Sequence, residues 1–279
     1  MKLPRLRTIL LTPLVLIVLL YLAGVIMVAR IDRTVGPLKG EPAGHRTVAI
    51  FGASGTAGDG ILKAALADPH VDTVHVITRR ETPRIREGVD SGKVLMTTHM
   101  DYLDYAAIRE QLAGVDAVYW AIGISSVGVD EETYGLIHVD FPMAFVEQWV
   151  PVSAKDNISF HYISSSDISE DSSAMWVREK VRAENSLFGF ADGTKMKVIA
   201  YRPDYIGPTQ EEAHLGQRAL YGFFRPLGAA VKATEIGQAM LEVTARGDEF
   251  ASGDKLGTFS IVRYAGAYEL RQSSTSPSQ

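Results

Sequence analysis

The sequence predicts an α/β protein: a doubly wound parallel sheet with a small C-terminal substrate or lid region, preceded by one N-terminal transmembrane helix. Three observations carry this expectation. From Thr47 onward, short β-branched runs alternate with stretches of helical spacing, the pattern of repeated β-α-β units. A glycine cluster, "FGASGTAGDG", stands where the first strand passes into the first helix. The run from Ile9 to Ala29 carries no charge, and as a helix it would measure about 30 Å, the thickness of a bilayer's hydrocarbon core.

The chain has 279 residues, 46% of them hydrophobic, and a net charge of -5. That suits one large domain with a packed core, and it supplies no basic face for a nucleic acid. The absence of cysteine excludes disulfides, thiolate catalysis and cysteine-ligated metals. The seven histidines (His45, His70, His75, His99, His138, His161 and His214) lack the spacing of a helical metal site. They read as solvated or structural, and no metal is expected.

The elements follow in order. Residues 1–30 read as a retained membrane anchor, because the apolar run exceeds the roughly 7–15 residues usual in a cleaved signal and Met27 stands where a cut after Ala29 would want a small residue. Lys2, Arg5 and Arg7 on one flank balance Arg30, Arg33, Lys39 and Arg46 on the other, so charge does not orient the span. A Gly- and Pro-containing linker covers 31–46. The domain covers 47–270, with a lid region at about 208–233, and the polar tail 271–279 reads as disordered. Strands are expected in "TVAIFGA", "TVHVITRR", "KVLMTTHM", "DAVYWAIG", "ISFHYISSS" and "MKVIAYRPDYIG", and a late one in "GTFSIVRY". Helices are expected in "GDGILKAALAD", in "DYAAIREQLAG" closed by Gly114, from about Phe141 to Val150, in "SSAMWVREKVRAEN", and in "ATEIGQAMLEVTARG", where Ile236, Ala239, Met240 and Val243 share a face. The stretch "RALYGFFRPL" mixes aromatic and basic residues. It can be a lid, an interfacial segment or a helix packed on the core.

Gly52, Gly55 and Gly58 are spaced G-x-x-G-x-x-G. Glycine there permits a tight turn and close backbone approach to a pyrophosphate, and the following helix N-terminus offers unpaired N–H groups to its charge. The second strand ends in Arg79 and Arg80 rather than an acid. A guanidinium there can pair a 2′-phosphate, so NADP(H) is expected over NAD. Asp101 and Tyr102, after the third strand, stand where an adenine could be met; Asp101 can equally serve only to end the strand.

With these pieces placed, the chain resembles the atypical branch of the short-chain dehydrogenase/reductase superfamily, near the Tat-interacting-protein-like and NAD-dependent epimerase-like oxidoreductases. The likeness covers about Thr47 to Arg246. It rests on "VAIFGASGTAG", "VITRR", "AIG", "HVDF", "YISSS" and "YRPDYIGP". It implies a Rossmann domain in which Gly52, Ser54, Gly55, Thr56 and Gly58 cradle the pyrophosphate and Arg79 meets the adenosine phosphate. It further implies that Ile122 and Gly123 line the nicotinamide side, that Ser164 or Ser165 polarises a substrate carbonyl, and that Lys180 bonds the nicotinamide ribose. The domain is then expected on the cytoplasmic side of the membrane, where the cofactor is found.

One departure matters. The resemblance implies Tyr-x-x-x-Lys on the helix after the serine, and this chain reads "WVREK", with Trp176 four residues before Lys180. An indole N–H donates but does not titrate usefully. Two readings stay open: a reductase acting on a small, lipophilic substrate without that acid, or a cofactor-binding sensor, scaffold or partner of a membrane protein. Tyr119, Tyr134, Tyr162 and Tyr205 are phenols that could reach the site from elsewhere.

Overall fold

The structure is a computed structural model that describes residues 6–39, 46–209, 211 and 213–275, with side chains from 13 to 274 within those limits. His45, most of the linker's second half and residues 276–279 of the tail lie outside the described residues.

Seven strands form one parallel sheet in the order β3-β2-β1-β4-β5-β6-β9. They are β1 (Thr47–Phe51), β2 (Thr73–Thr78), β3 (Val94–Thr98), β4 (Ala117–Trp120), β5 (Ile158–Ile163), β6 (Met196–Arg202) and β9 (Lys255–Gly257). A small parallel pair, β7 (Tyr205–Gly207) and β8 (Ala230–Lys232), stands apart. The helices are α1 (Leu6–Ala29), α2 (Thr56–Ala67), α3 (Pro83–Asp90), α4 (Glu131–Gly135), α5 (Phe141–Trp149), α6 (Met175–Ala191), α7 (Leu215–Phe224), α8 (Ala233–Ala245) and α9 (Thr258–Thr275).

Both sheet faces are covered, which is why its strands are apolar at successive positions rather than alternately. In β1, Val48 and Ile50 join the core built with α2, α8 and α9, while Ala49 and Phe51 point to the other face, under α5 and α6. The chain order reverses direction between β1 and β4. In such sheets the crevice outside the strand ends at that switch point is where ligands bind.

The expected transmembrane helix is overturned: among the described residues, no helix is long and apolar enough to cross a membrane. The single-pass placement, with the domain on the cytoplasmic side of a membrane, is overturned with it. The second half of α1 is instead seated on the domain. The Tyr21 hydroxyl donates to the Phe223 carbonyl (3.0 Å), the two rings stack, and Val28 is buried. The described part of the linker is tied down as well, since Arg263 donates to Thr34 O (2.8 Å) and Arg246 to Gly36 O (3.0 Å).

Three local expectations also change. "DYAAIREQLAG" forms only a 3-10 turn at Arg109–Leu112. Asp104 accepts from the Ala106 N–H and Gln148 from the Tyr105 N–H, side-chain bonds that compete with helix formation. "GTFSIVRY" is the end of β9 and the start of α9, because Ile261, Ala265 and Tyr268 are buried at helical spacing. α9 continues to Thr275, into the first residues of the expected disordered tail.

Candidate dinucleotide cleft and the buried lysine beside it

The glycine loop is built by backbone constraints. Gly52 has φ +81°, a left-handed conformation that L side chains rarely adopt. Gly55 N–H closes the turn on Gly52 O at 2.9 Å. A Cβ added at Gly58 would lie 2.0 Å from that same carbonyl, so only glycine lets α2 start this close to the loop. The N-cap of α2 is Gly55, which has no side chain to cap with. The first-turn N–H groups are therefore left to a ligand or to water.

A cleft of about 610 Å³ opens on this loop. Gly52, Ser54 and Gly55 form one wall, Arg79, Arg80 and Tyr102 another, and Ile122 and Gly123 the floor toward β4. Thr56 is exposed at the start of α2, and Gly58 is buried behind the loop. The two arginines divide. Arg80 donates to Ser54 O at 3.1 Å, bracing the glycine loop, whereas Arg79 is exposed, makes no hydrogen bond or ion pair among the described residues, and faces Tyr102. Tyr102 stacks on Phe141, and burial pushes its phenol pKa up. Asp101 does not line the cleft; it accepts from the Leu103 N–H at 3.0 Å and so shapes the turn after β3.

The residues expected to do chemistry sit apart from this cleft. Lys180 is buried and donates to Ile163 O (3.0 Å) and Tyr162 Oη (3.3 Å). Burial lowers its pKa to about 7, with Glu184 opposing the shift. Ser164 is buried, and its Oγ has no hydrogen-bond partner among the described residues; Ser165 is half-buried. None of the three lines the cleft. Trp176 is half-buried in the first turn of α6, one turn before Lys180.

Of the four phenols, Tyr162 reaches the lysine. Tyr119 bonds Thr244 on the opposite face of the sheet, and Tyr205 packs on Phe224. Tyr134 packs on His138 with the rings tilted, and burial raises its pKa to about 12.

Sequence reasoning missed His138. Its ring lies under the cleft floor, where a Cβ added at Gly123 would come 2.8 Å from its Cε1, and its Nε2 is 3.3 Å from both Ile124 N and O. Burial, with Lys180 adding to it, lowers its pKa to about 3. The signal available in the sequence was Pro142, four residues on: it has no N–H to bond the His138 carbonyl in an α-helix.

The lid region forms α7, which buries none of its own residues. The helix covers a different cleft of about 700 Å³, lined by Lys63, Ala64 and Ala67 of α2 and by Tyr221 of α7. That cleft shares no lining residue with the first.

No protein-family model and no curated protein matches the chain. Solved structures do match. An oxidoreductase of the short-chain dehydrogenase/reductase family from Burkholderia thailandensis superposes with a TM-score of 0.61 at 16% identity, covering 84% of this chain and 98% of that one. A short-chain dehydrogenase/reductase from Saccharomyces cerevisiae gives 0.60 at 14% identity, covering 76% and 96%. A 3-oxoacyl-[acyl-carrier protein] reductase from Brucella melitensis, in complex with NAD, gives 0.59 at 17% identity, covering 81% and 98%. The chain thus has a Rossmann-type parallel-sheet fold, similar to that of these short-chain dehydrogenases/reductases.

Proposed function

We propose that the chain binds NADP(H) in the cleft at the β1/β4 switch point and acts as an oxidoreductase of the short-chain dehydrogenase/reductase type on a carbonyl of a small molecule. The observation that carries this reading is the pairing of an uncapped helix N-terminus behind the glycine loop with an unengaged guanidinium, Arg79, across the same cleft. The loop N–H groups hold a pyrophosphate, and Arg79 pairs a 2′-phosphate by charge-assisted hydrogen bonds. Arg80 keeps the loop in place through Ser54 O. When bound, NADPH supplies a hydride. Ser164, whose Oγ has no partner among the described residues, is the donor for a substrate oxygen, and Lys180 is the nearby cation.

A second reading is cofactor binding with little or no turnover, as a sensor or structural partner. It is favoured by the burial of Ser164 and Lys180 outside the cleft and by Trp176 standing one turn before Lys180 in place of a phenol. General acid catalysis contributes about 10²–10⁴-fold, so hydride transfer without it is slow.

Titrating NADPH and NADH against the full chain tests the binding claim. NADPH is expected to bind more tightly, and equal affinities or an NADH preference would overturn it. Oxidation of NADPH by activated small carbonyls then separates the two readings. Under the first, wild type turns over slowly and Trp176→Tyr speeds it, since the new phenol lies on the helical face that carries Lys180. No turnover by either protein supports binding alone.

A further inference from the structure

We infer that the Tyr162 hydroxyl, oriented by the His138 carbonyl, forms with the Ile163 carbonyl a seat for the Lys180 amine, that Pro142 creates this seat by freeing the His138 carbonyl, and that Tyr162 is therefore a positioning residue acting through Lys180. The inference rests on the proposed reading of Lys180 as the cation beside Ser164 and next to the dinucleotide cleft.

The argument begins with "HVDFP", His138 to Pro142. In an α-helix the carbonyl of residue 138 accepts the N–H of residue 142. Residue 142 is proline and has none. At this place the helix from Glu131 to Trp149 opens into a π turn, Leu136–Asp140. The His138 carbonyl accepts instead from the Tyr162 hydroxyl at 3.1 Å. That commits the phenol's only proton, so Tyr162 can meet Lys180 only as an acceptor, and Lys180 Nζ donates to it at 3.3 Å. The second acceptor of the amine is Ile163 O at 3.0 Å. Among the described residues, no carboxylate lies within ion-pair distance of Nζ.

These two neutral acceptors hold a group that burial alone would discharge. Every charged or titratable group nearby enters the balance. Glu184, on the same helix, favours the ammonium, while His138, facing it from the π turn, is kept neutral partly by Lys180. Tyr134 and Glu184 face Tyr162, and Glu179 faces Tyr134. The imidazole of His138 underlies Gly123 and Ile124, both in the cleft wall. One residue thus touches the cleft floor with its ring and the lysine's seat with its carbonyl.

The test follows the Lys180 side chain by NMR in the full chain, isotope-labelled at lysine, with its resonance assigned by its loss in Lys180→Met. Removing an acceptor from a buried ammonium lowers its pKa. Tyr162→Phe is expected to lower the Lys180 midpoint by about one pH unit, a tenfold change in the ammonium-to-amine ratio. Pro142→Ala, which supplies a competing N–H to the His138 carbonyl, should lower it by less, and the pH profile of NADPH binding should move with the midpoint in both. An unmoved Lys180 midpoint in folded Tyr162→Phe overturns the proposal. If Tyr162→Phe does not fold, an unmoved midpoint in Pro142→Ala does so. Failure of wild type to bind NADPH would sink the cofactor reading and leave the NMR result to decide the seat.

Discussion

The carboxyl edge of the sheet is built in two contrasting ways. At β1, β2 and β4 the edge is open: backbone turns, an uncapped helix start and an exposed guanidinium surround a cleft. At β5 and α6 it is closed. The lysine is buried, two of its donors are taken up by Ile163 O and Tyr162 Oη, and the neighbouring serine is covered. The first region is specified by what glycine permits and by a charge left in water. The second is specified by desolvation and by which hydrogen-bond partners remain. A ligand can reach the first as it stands, whereas chemistry at the second requires the buried groups to be reached. His138 lies at the joint between the two.

The contrast can be broken first where the energies are largest. Lys180 has a folded pKa of about 7 against an ordinary 10.5. The unfolded chain therefore holds the extra proton between these values, and stability rises as pH is raised through that window. Below pH 7 both states are protonated and the cost of the buried cation is constant. Lys180→Met should stabilise the fold at pH 7 by on the order of 1–4 kcal/mol and flatten the rise toward pH 10.5, as read by denaturant unfolding at several pH values. A destabilised, equally pH-dependent variant would mean that the closed region is not held against a desolvation cost. The buried base His138 acts on the acid side: its contribution is present above its ordinary pKa of 6.5 and is lost as pH falls toward about 3.

The open region is next. Gly58→Ala places a methyl against the Gly52 carbonyl and should cost about 1–3 kcal/mol of stability. Because the loop itself must shift, affinity for NADPH and NADH should fall together. Unchanged unfolding midpoints and affinities would show that the close approach is not needed. Arg79→Ala should weaken NADPH by about 1.5–3 kcal/mol, the worth of hydrogen bonds to a charged group, while sparing NADH; equal losses for both cofactors would remove the 2′-phosphate assignment. The smallest effect belongs to Arg80→Ala. It deletes one bond to Ser54 O and should weaken both cofactors alike, by about 0.5–1.5 kcal/mol. A selective loss of NADPH there would exchange the roles given to the two arginines.

Much of the architecture was legible in the chain. β-Branched runs, helical spacing and the placement of Gly52, Gly55 and Gly58 foretold a doubly wound parallel sheet with a tight glycine turn between β1 and α2, because local periodicity and backbone freedom are properties of consecutive residues. The same locality explains the failures. "DYAAIREQLAG" has helical spacing, yet Asp104 and Gln148 took its N–H groups. The apolar N-terminal run read as a membrane span because its length and lack of charge were all that could be weighed. Its contacts with Phe223 and with the interior around Val28 come from the far end of the chain. Tyr102 and Asp101 are adjacent in sequence and part company in space, one in the cleft and one shaping a turn.

By itself, then, the sequence determined the sheet, the glycine loop, the arginine pair and the tryptophan one turn before Lys180. The tertiary structure decided which arginine stays unengaged, that the lysine is buried rather than facing the cleft, and that a phenol from β5 meets it. The physical reason is range. Turn conformation and helix phase are fixed within a few residues, whereas burial and the partner of each donor depend on strands and helices brought together from across the chain.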